Sequence, residues 1–174
     1  YSIDLDPNDG DGLQIKILRD LNQMNTSFVW LDGYTAVADV NLDGTPDVIV
    51  SSGRRQGTFY YRGVYVWNKN GFIRFFQNPA GNPVNGAIPC IANIYDDTQN
   101  GFAKDFPEII VSSPLRLNCF NLQAAMLNPG QPWWWSLITT DFSGVTGCTV
   151  FDFNGDGLAE VVYRDEKDIR ILYG

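Results

Sequence analysis

The sequence predicts an all-β fold. Short β-branched and aromatic runs recur along it, as in Asp47-Val-Ile-Val50, Gly63-Val-Tyr-Val-Trp67 and Glu160-Val-Val-Tyr163, and such residues suit a pleated, half-buried strand. Glycine (17 residues) and proline (9 residues) interrupt the runs often enough to favour many short strands over long helices. The runs also repeat. Ala36-Val-Ala-Asp39 leads to Asp47-Val-Ile-Val-Ser-Ser52; Cys90-Ile-Ala-Asn93 leads to Glu108-Ile-Ile-Val-Ser-Ser113; Val150-Phe-Asp152 leads to Glu160-Val-Val-Tyr-Arg164. Each copy then offers a third strand, at 63–67, 117–121 and 168–172, and the first two add a fourth, at 72–76 and 133–137. Four strands in about 40–60 residues, repeated, is the pattern of four-stranded antiparallel β-propeller blades.

Taken in order, residues 1–33 read as strands two to four of a preceding blade, at Tyr1–Leu5, Leu13–Leu18 and Phe28–Leu31. Residues 34–80 form a blade with an acidic loop, 81–140 a blade with a degenerate loop, and 141–174 the start of a further blade. Closure takes about four to eight blades, so the expectation is a partial propeller or a segment of a larger one. The acid-rich Asp4–Gly12 stretch is out of register with the repeat and reads as a solvated turn.

The acidic loops carry the chemistry. Asp39-Val-Asn41-Leu-Asp43-Gly44-Thr45-Pro-Asp47 and Asp152-Phe-Asn154-Gly-Asp156-Gly157-Leu158-Ala-Glu160 both read D-x-N-x-D-G-x-x-[DE]. Calcium takes about six to eight oxygens at about 2.3–2.6 Å, and alternate residues of a tightly curled loop can aim them at one point. The candidate ligands are the side chains of Asp39, Asn41, Asp43 and Asp47 with the carbonyl of Thr45, and those of Asp152, Asn154, Asp156 and Glu160 with the carbonyl of Leu158. Gly44 and Gly157 allow the sharp turn. An EF-hand is excluded, because Val50 and Tyr163 stand where its twelfth-position acid belongs and strand-like runs replace its helices. The rival reading is an acidic hairpin turn without metal. In the middle copy Asn93, Tyr95 and Asp97 replace the first three ligands, and an insertion at 98–106 precedes Glu108.

Composition narrows the class further. With 44% apolar and 14% aromatic residues the 174-residue chain can build a core, and no run is long and apolar enough to span a bilayer. A signal peptide, if the protein is secreted, lies outside this sequence. The net charge of −8 argues against nucleic acid, and the lack of histidine removes the commonest general base. Cys90, Cys119 and Cys148 fit no zinc spacing; one disulfide or buried free thiols both remain open. No nucleophile elbow or Cys–His pair is present, so the chain reads as non-catalytic.

The two loops, their flanking strands and their repetition resemble FG-GAP/VCBS repeats, over about residues 34–174. The Phe-Gly and Gly-Ala-Pro elements that name that family are not clear here. Similarity is closer to the bacterial surface-protein branch. The resemblance implies an integrin-α-like propeller with calcium between the first two strands of a blade, on a secreted or cell-surface protein acting in adhesion or in protein or glycan interaction. The alternative is an accessory or structural part of a carbohydrate-active enzyme such as a polysaccharide lyase.

Two stretches are candidates for recognition. Ser51–Arg62 reads as a long insertion mixing cations with aromatics, and Arg54, Arg55, Tyr60 and Arg62 are its candidate ligand-binding residues. Strand alternation puts it at the opposite end of the blade from the calcium loop. Its rival reading makes Phe59 and Tyr61 continuations of strands. Trp133-Trp134-Trp135 could stack on sugar, but a blade buried on both faces favours core packing.

Overall fold

The computed structural model describes residues 33–56, 59–68, 71–76, 87–102, 105–123 and 135–173, together with three short strands before them. The fold is all-β, built from small antiparallel sheets. At the N-terminal end β1 (Ser2–Asp4) pairs with β2 (Gln14–Lys16). The next sheet holds β3 (Val29–Trp30), β4 (Tyr34–Ala38), β5 (Asp47–Gln56), β6 (Phe59–Asn68) and β7 (Gly71–Phe76). A four-stranded meander follows, with β8 (Cys90–Ala92), β9 (Glu108–Ser113), β10 (Arg116–Phe120) and β11 (Trp135–Ile138) adjacent in chain order. The last sheet is β12 (Cys148–Phe151), β13 (Glu160–Arg164) and β14 (Ile169–Leu172). Among the described residues, no helix is long and apolar enough to cross a membrane.

Two features differ from the sequence expectation. Val29–Trp30, expected to close a preceding blade, pairs instead with Arg54 and Arg55 of β5, end to end with β4 on the same flank. The register differs by one residue between the Trp30↔Arg54 and Tyr34↔Ser51 pairings. Ser51–Arg62 is not a long loop either. β5 runs unbroken to Gln56 and β6 starts at Phe59, with Gly53↔Arg62, Arg54↔Tyr61 and Arg55↔Tyr60 in register. The aromatic run Phe59-Tyr60-Tyr61 has the strand propensity to extend the ladder this far.

The sheets pack face to face in chain order. Val40, Ile49, Val64 and Val66 from the first large sheet meet Ala87, Ile109, Val111, Phe120 and Leu122. On the meander's other face Ile110, Leu117 and Cys119 meet Val161 and Tyr163 of the last sheet. Period-two alternation sends successive β9 residues to opposite faces, so a strand buried on both sides reads Glu-Ile-Ile-Val rather than apolar–polar. Every residue of β9 is buried. The outer sheets are half open. On β12 to β14 Phe151, Ile169 and Ile171 are exposed, and on β4 Val37 is.

Candidate metal loops

Each repeat places its loop between two neighbouring antiparallel strands, so the last acid of the motif opens a strand and is held by the ladder. That acid makes the same bond in all three copies. Asp47 Oδ2 accepts the Val40 N–H at 3.0 Å, Glu108 Oε2 accepts that of Ile94 at 2.9 Å, and Glu160 Oε2 accepts that of Phe153 at 2.7 Å. The acid that closes each loop thus ties down the loop's second residue, at position nine in the first and last copies and beyond the insertion in the middle one. All three acids are buried, a costly placement for a charge without compensation. The middle and last loops adjoin, with the Ala159 N–H donating to the Asn93 carbonyl at 2.7 Å.

The first-position carboxylates curl the loops. Asp39 accepts from the N–H groups of Asp43 at 3.1 Å and Gly44 at 2.8 Å; Asp152 accepts from those of Gly155 at 2.6 Å and Gly157 at 3.0 Å. Asn41 and Asn154 each accept from the residue two ahead, and Asp43 and Asp156 do the same for Thr45 and Leu158. Two residues per loop take the left-handed backbone region. Position six is Gly44 (φ 85°) or Gly157 (φ 93°), and position four is Gly155 (φ 76°) in one loop but Leu42 (φ 54°) in the other.

Among the described residues, no three acidic, cysteine or histidine side chains close on a common point. The carboxylates are turned onto their own loop's amides. One observation nevertheless fits a hard cation in the first loop: Asp47 Oδ1 is buried and accepts no hydrogen bond. Burial pushes the Asp47 carboxyl above its usual range, and the nearby Asp43 and Asp39 charges add to that, against the Val40 bond. A cation would offset both effects. In the last loop the corresponding oxygen, Glu160 Oε1, takes a bond from Asn154 Nδ2 at 3.0 Å.

The middle repeat solves the same problem with an amide. Asn121 Nδ2 donates to Glu108 Oε1 and to Asp97 Oδ2, both at 2.8 Å. Asp105, from the insertion, accepts the Asp97 N–H at 3.0 Å and Asn93 Nδ2 at 2.5 Å. Burial raises the Glu108 carboxyl to about 7, with the Asp97 charge adding to it. Asp97 Oδ1 and Asn93 Oδ1 are buried and accept nothing. Neither Asn121 nor Asp105 belongs to the nine-residue motif, so the motif does not point to them.

No protein-family model, curated protein or solved structure matches the chain.

The remaining sequence candidates fall apart from the loops. Arg54, Arg55, Tyr60 and Arg62 occupy the far half of the β5–β6 hairpin. Gln56 is nine residues along the strand from Asp47, about 30 Å at roughly 3.3 Å per residue. Their side chains lie outside the described residues, as do those of Trp133, Trp134 and Trp135.

Proposed function

We propose that this chain is a calcium-stabilised segment of a β-propeller of the FG-GAP/VCBS type, on a secreted or cell-surface protein that acts in adhesion or in protein or glycan interaction. The observation that carries the reading is the recurring bond from the acid that closes each loop to the loop's second amide, made at the same junction of three successive stacked sheets. Repetition at one edge is what a modular blade array requires. In-order, face-to-face sheets with exposed apolar outer faces on β4 and β12–β14 suit an array that continues on both sides.

Calcium in this reading is structural. Asp39, Asn41, Asp43 and Asp47 with the Thr45 carbonyl would hold one ion; Asp152, Asn154, Asp156 and Glu160 with the Leu158 carbonyl would hold a second. Each ion would supply positive charge where acids crowd, fixing the turn between two strands. Recognition belongs to the far tip of the β5–β6 hairpin, where Arg54, Arg55, Tyr60 and Arg62 meet an acidic glycan or acidic protein patch. Binding to a glycan array and to immobilised cell-surface proteins, with calcium and with chelator, tests this. Capture that needs both calcium and the hairpin arginines supports the reading; turnover of a polysaccharide substrate supports the enzyme alternative.

A further inference from the structure

The three cysteines, far apart in sequence, come together between the meander and the last sheet. Cys90 and Cys119 both lie in register with Ile110, one on each side of β9, so they stand in one cross-strand row. Cys148 opens β12, in the same apolar cluster. Cys90 Sγ donates to the Cys148 carbonyl at 2.6 Å. Cys90 and Cys148 are partly exposed; Cys119 is fully buried.

We infer that Cys90 and Cys148 form a disulfide that fastens the meander to the last sheet, leaving Cys119 reduced. Strand spacing excludes the Cys90–Cys119 pair. Cys90 and Cys119 are two strands apart, about 9.6 Å between α-carbons, whereas a disulfide needs about 4.4–6.8 Å. β8 and β12 instead approach within 8 Å between α-carbons, and the Cys90 sulfur already reaches the Cys148 main chain. Contact with the Cys148 thiol pulls the Cys90 thiol below its usual range, which makes Cys90 the attacking sulfur.

A small-molecule disulfide such as oxidised glutathione is the oxidant. The Cys90 thiolate attacks one of its sulfurs, breaking that S–S bond and releasing one glutathione thiolate. Cys148 then loses its proton and attacks the Cys90 sulfur of the mixed disulfide, expelling the second glutathione. The protein gains one S–S bond and loses two thiol hydrogens; the oxidant is reduced to two thiols. A cross-link of this kind belongs to an oxidising compartment, and it stands independently of calcium.

The experiment exposes the reduced, folded chain to oxidised glutathione, then counts free thiols after denaturation and maps the linked peptides. Free thiols should fall from three to one, with Cys90 joined to Cys148 and a raised melting temperature. Cys119→Ser should form the same link, reaching zero free thiols, whereas Cys148→Ser should form no intramolecular link. Three remaining thiols, a persistent glutathione adduct on Cys90, or a mapped link to Cys119 would each overturn the inference. Since Cys119→Ser alters a fully buried position, the wild-type peptide map decides the pairing if that variant fails to fold.

Discussion

Asp47 accepts the main-chain N–H of Val40 at 3.0 Å through one carboxylate oxygen and leaves the other buried with no partner. Exchanging Asp47 for Asn keeps an acceptor for Val40 but removes a charge crowded by Asp39 and Asp43. In chelator the variant should therefore be at least as stable as wild type. With calcium the order should reverse, because only the wild-type loop gains binding free energy, about 1.4 kcal/mol at ten times the dissociation constant. Denaturant melts of both proteins under both conditions measure the inversion.

Gly157 takes φ 93°, and a Cβ built there meets no atom within 4 Å. The cost of Gly157→Ala is thus one of backbone conformation alone, about 1–2 kcal/mol. Chemical denaturation in chelator should show that loss. An unchanged midpoint would mean that the turn does not hold this conformation in solution.

Glu108 gives the fold a pH dependence. Its carboxyl is raised from 4.5 to about 7, chiefly by burial, so the folded chain binds the proton more tightly than the unfolded one. Between those two values the folded state holds more protons, and stability falls as pH rises. The loss saturates above about pH 7 at roughly 3 kcal/mol if the whole shift is expressed. Glu108→Gln should flatten this slope in equilibrium melts between pH 4.5 and pH 7, even if the variant is less stable throughout.

How much of this was legible in sequence depends on what each feature rests on. β9 and β13 follow from β-branched runs, and the Asp39–Asp47 and Asp152–Glu160 loops from fixed spacing, because strand period and turn chemistry are local. The pairing of β3 with β5 is not legible, because two residues carry no periodicity and its partner, Arg54–Arg55, reads as loop. Gly53 is a poor strand former and Arg54 and Arg55 carry no apolar alternation; they pair with Arg62, Tyr61 and Tyr60 on one side, and Arg54 and Arg55 with β3 on the other. Asn121 and the Cys90–Cys148 contact are tertiary. Nothing at a separation of 13 residues from Glu108, or of 58 between the cysteines, marks them in the chain. Leu42 hides the left-handed fourth position that Gly155 displays openly.

The hairpin tip is expected to act through charge. Three of the chain's 12 cationic residues fall at 54, 55 and 62 in a protein of net charge −8. Replacing Arg54, Arg55 and Arg62 by serine should weaken capture of an acidic glycan or protein, mainly by slowing association, with the difference shrinking as salt rises. Calcium binding should not change, because Arg54, Arg55 and Arg62, the last opposite Gly53, stand about 20–26 Å along the ladder from Asp47. Surface plasmon resonance at low and moderate salt separates this from general destabilisation, and equal binding by both proteins would remove the hairpin from recognition.

In the proposed function the loops Asp39–Asp47 and Asp152–Glu160 each hold calcium. Isothermal titration of the chelator-treated chain, with melting temperature followed in parallel, tests it most directly. Two ions per chain are expected, with dissociation constants on the order of 10⁻⁴–10⁻³ M and a melting temperature that climbs with calcium. Asp47→Asn and Glu160→Gln should each remove one ion from the stoichiometry. No heat and no thermal shift at calcium concentrations about ten times the upper end of that range would contradict it.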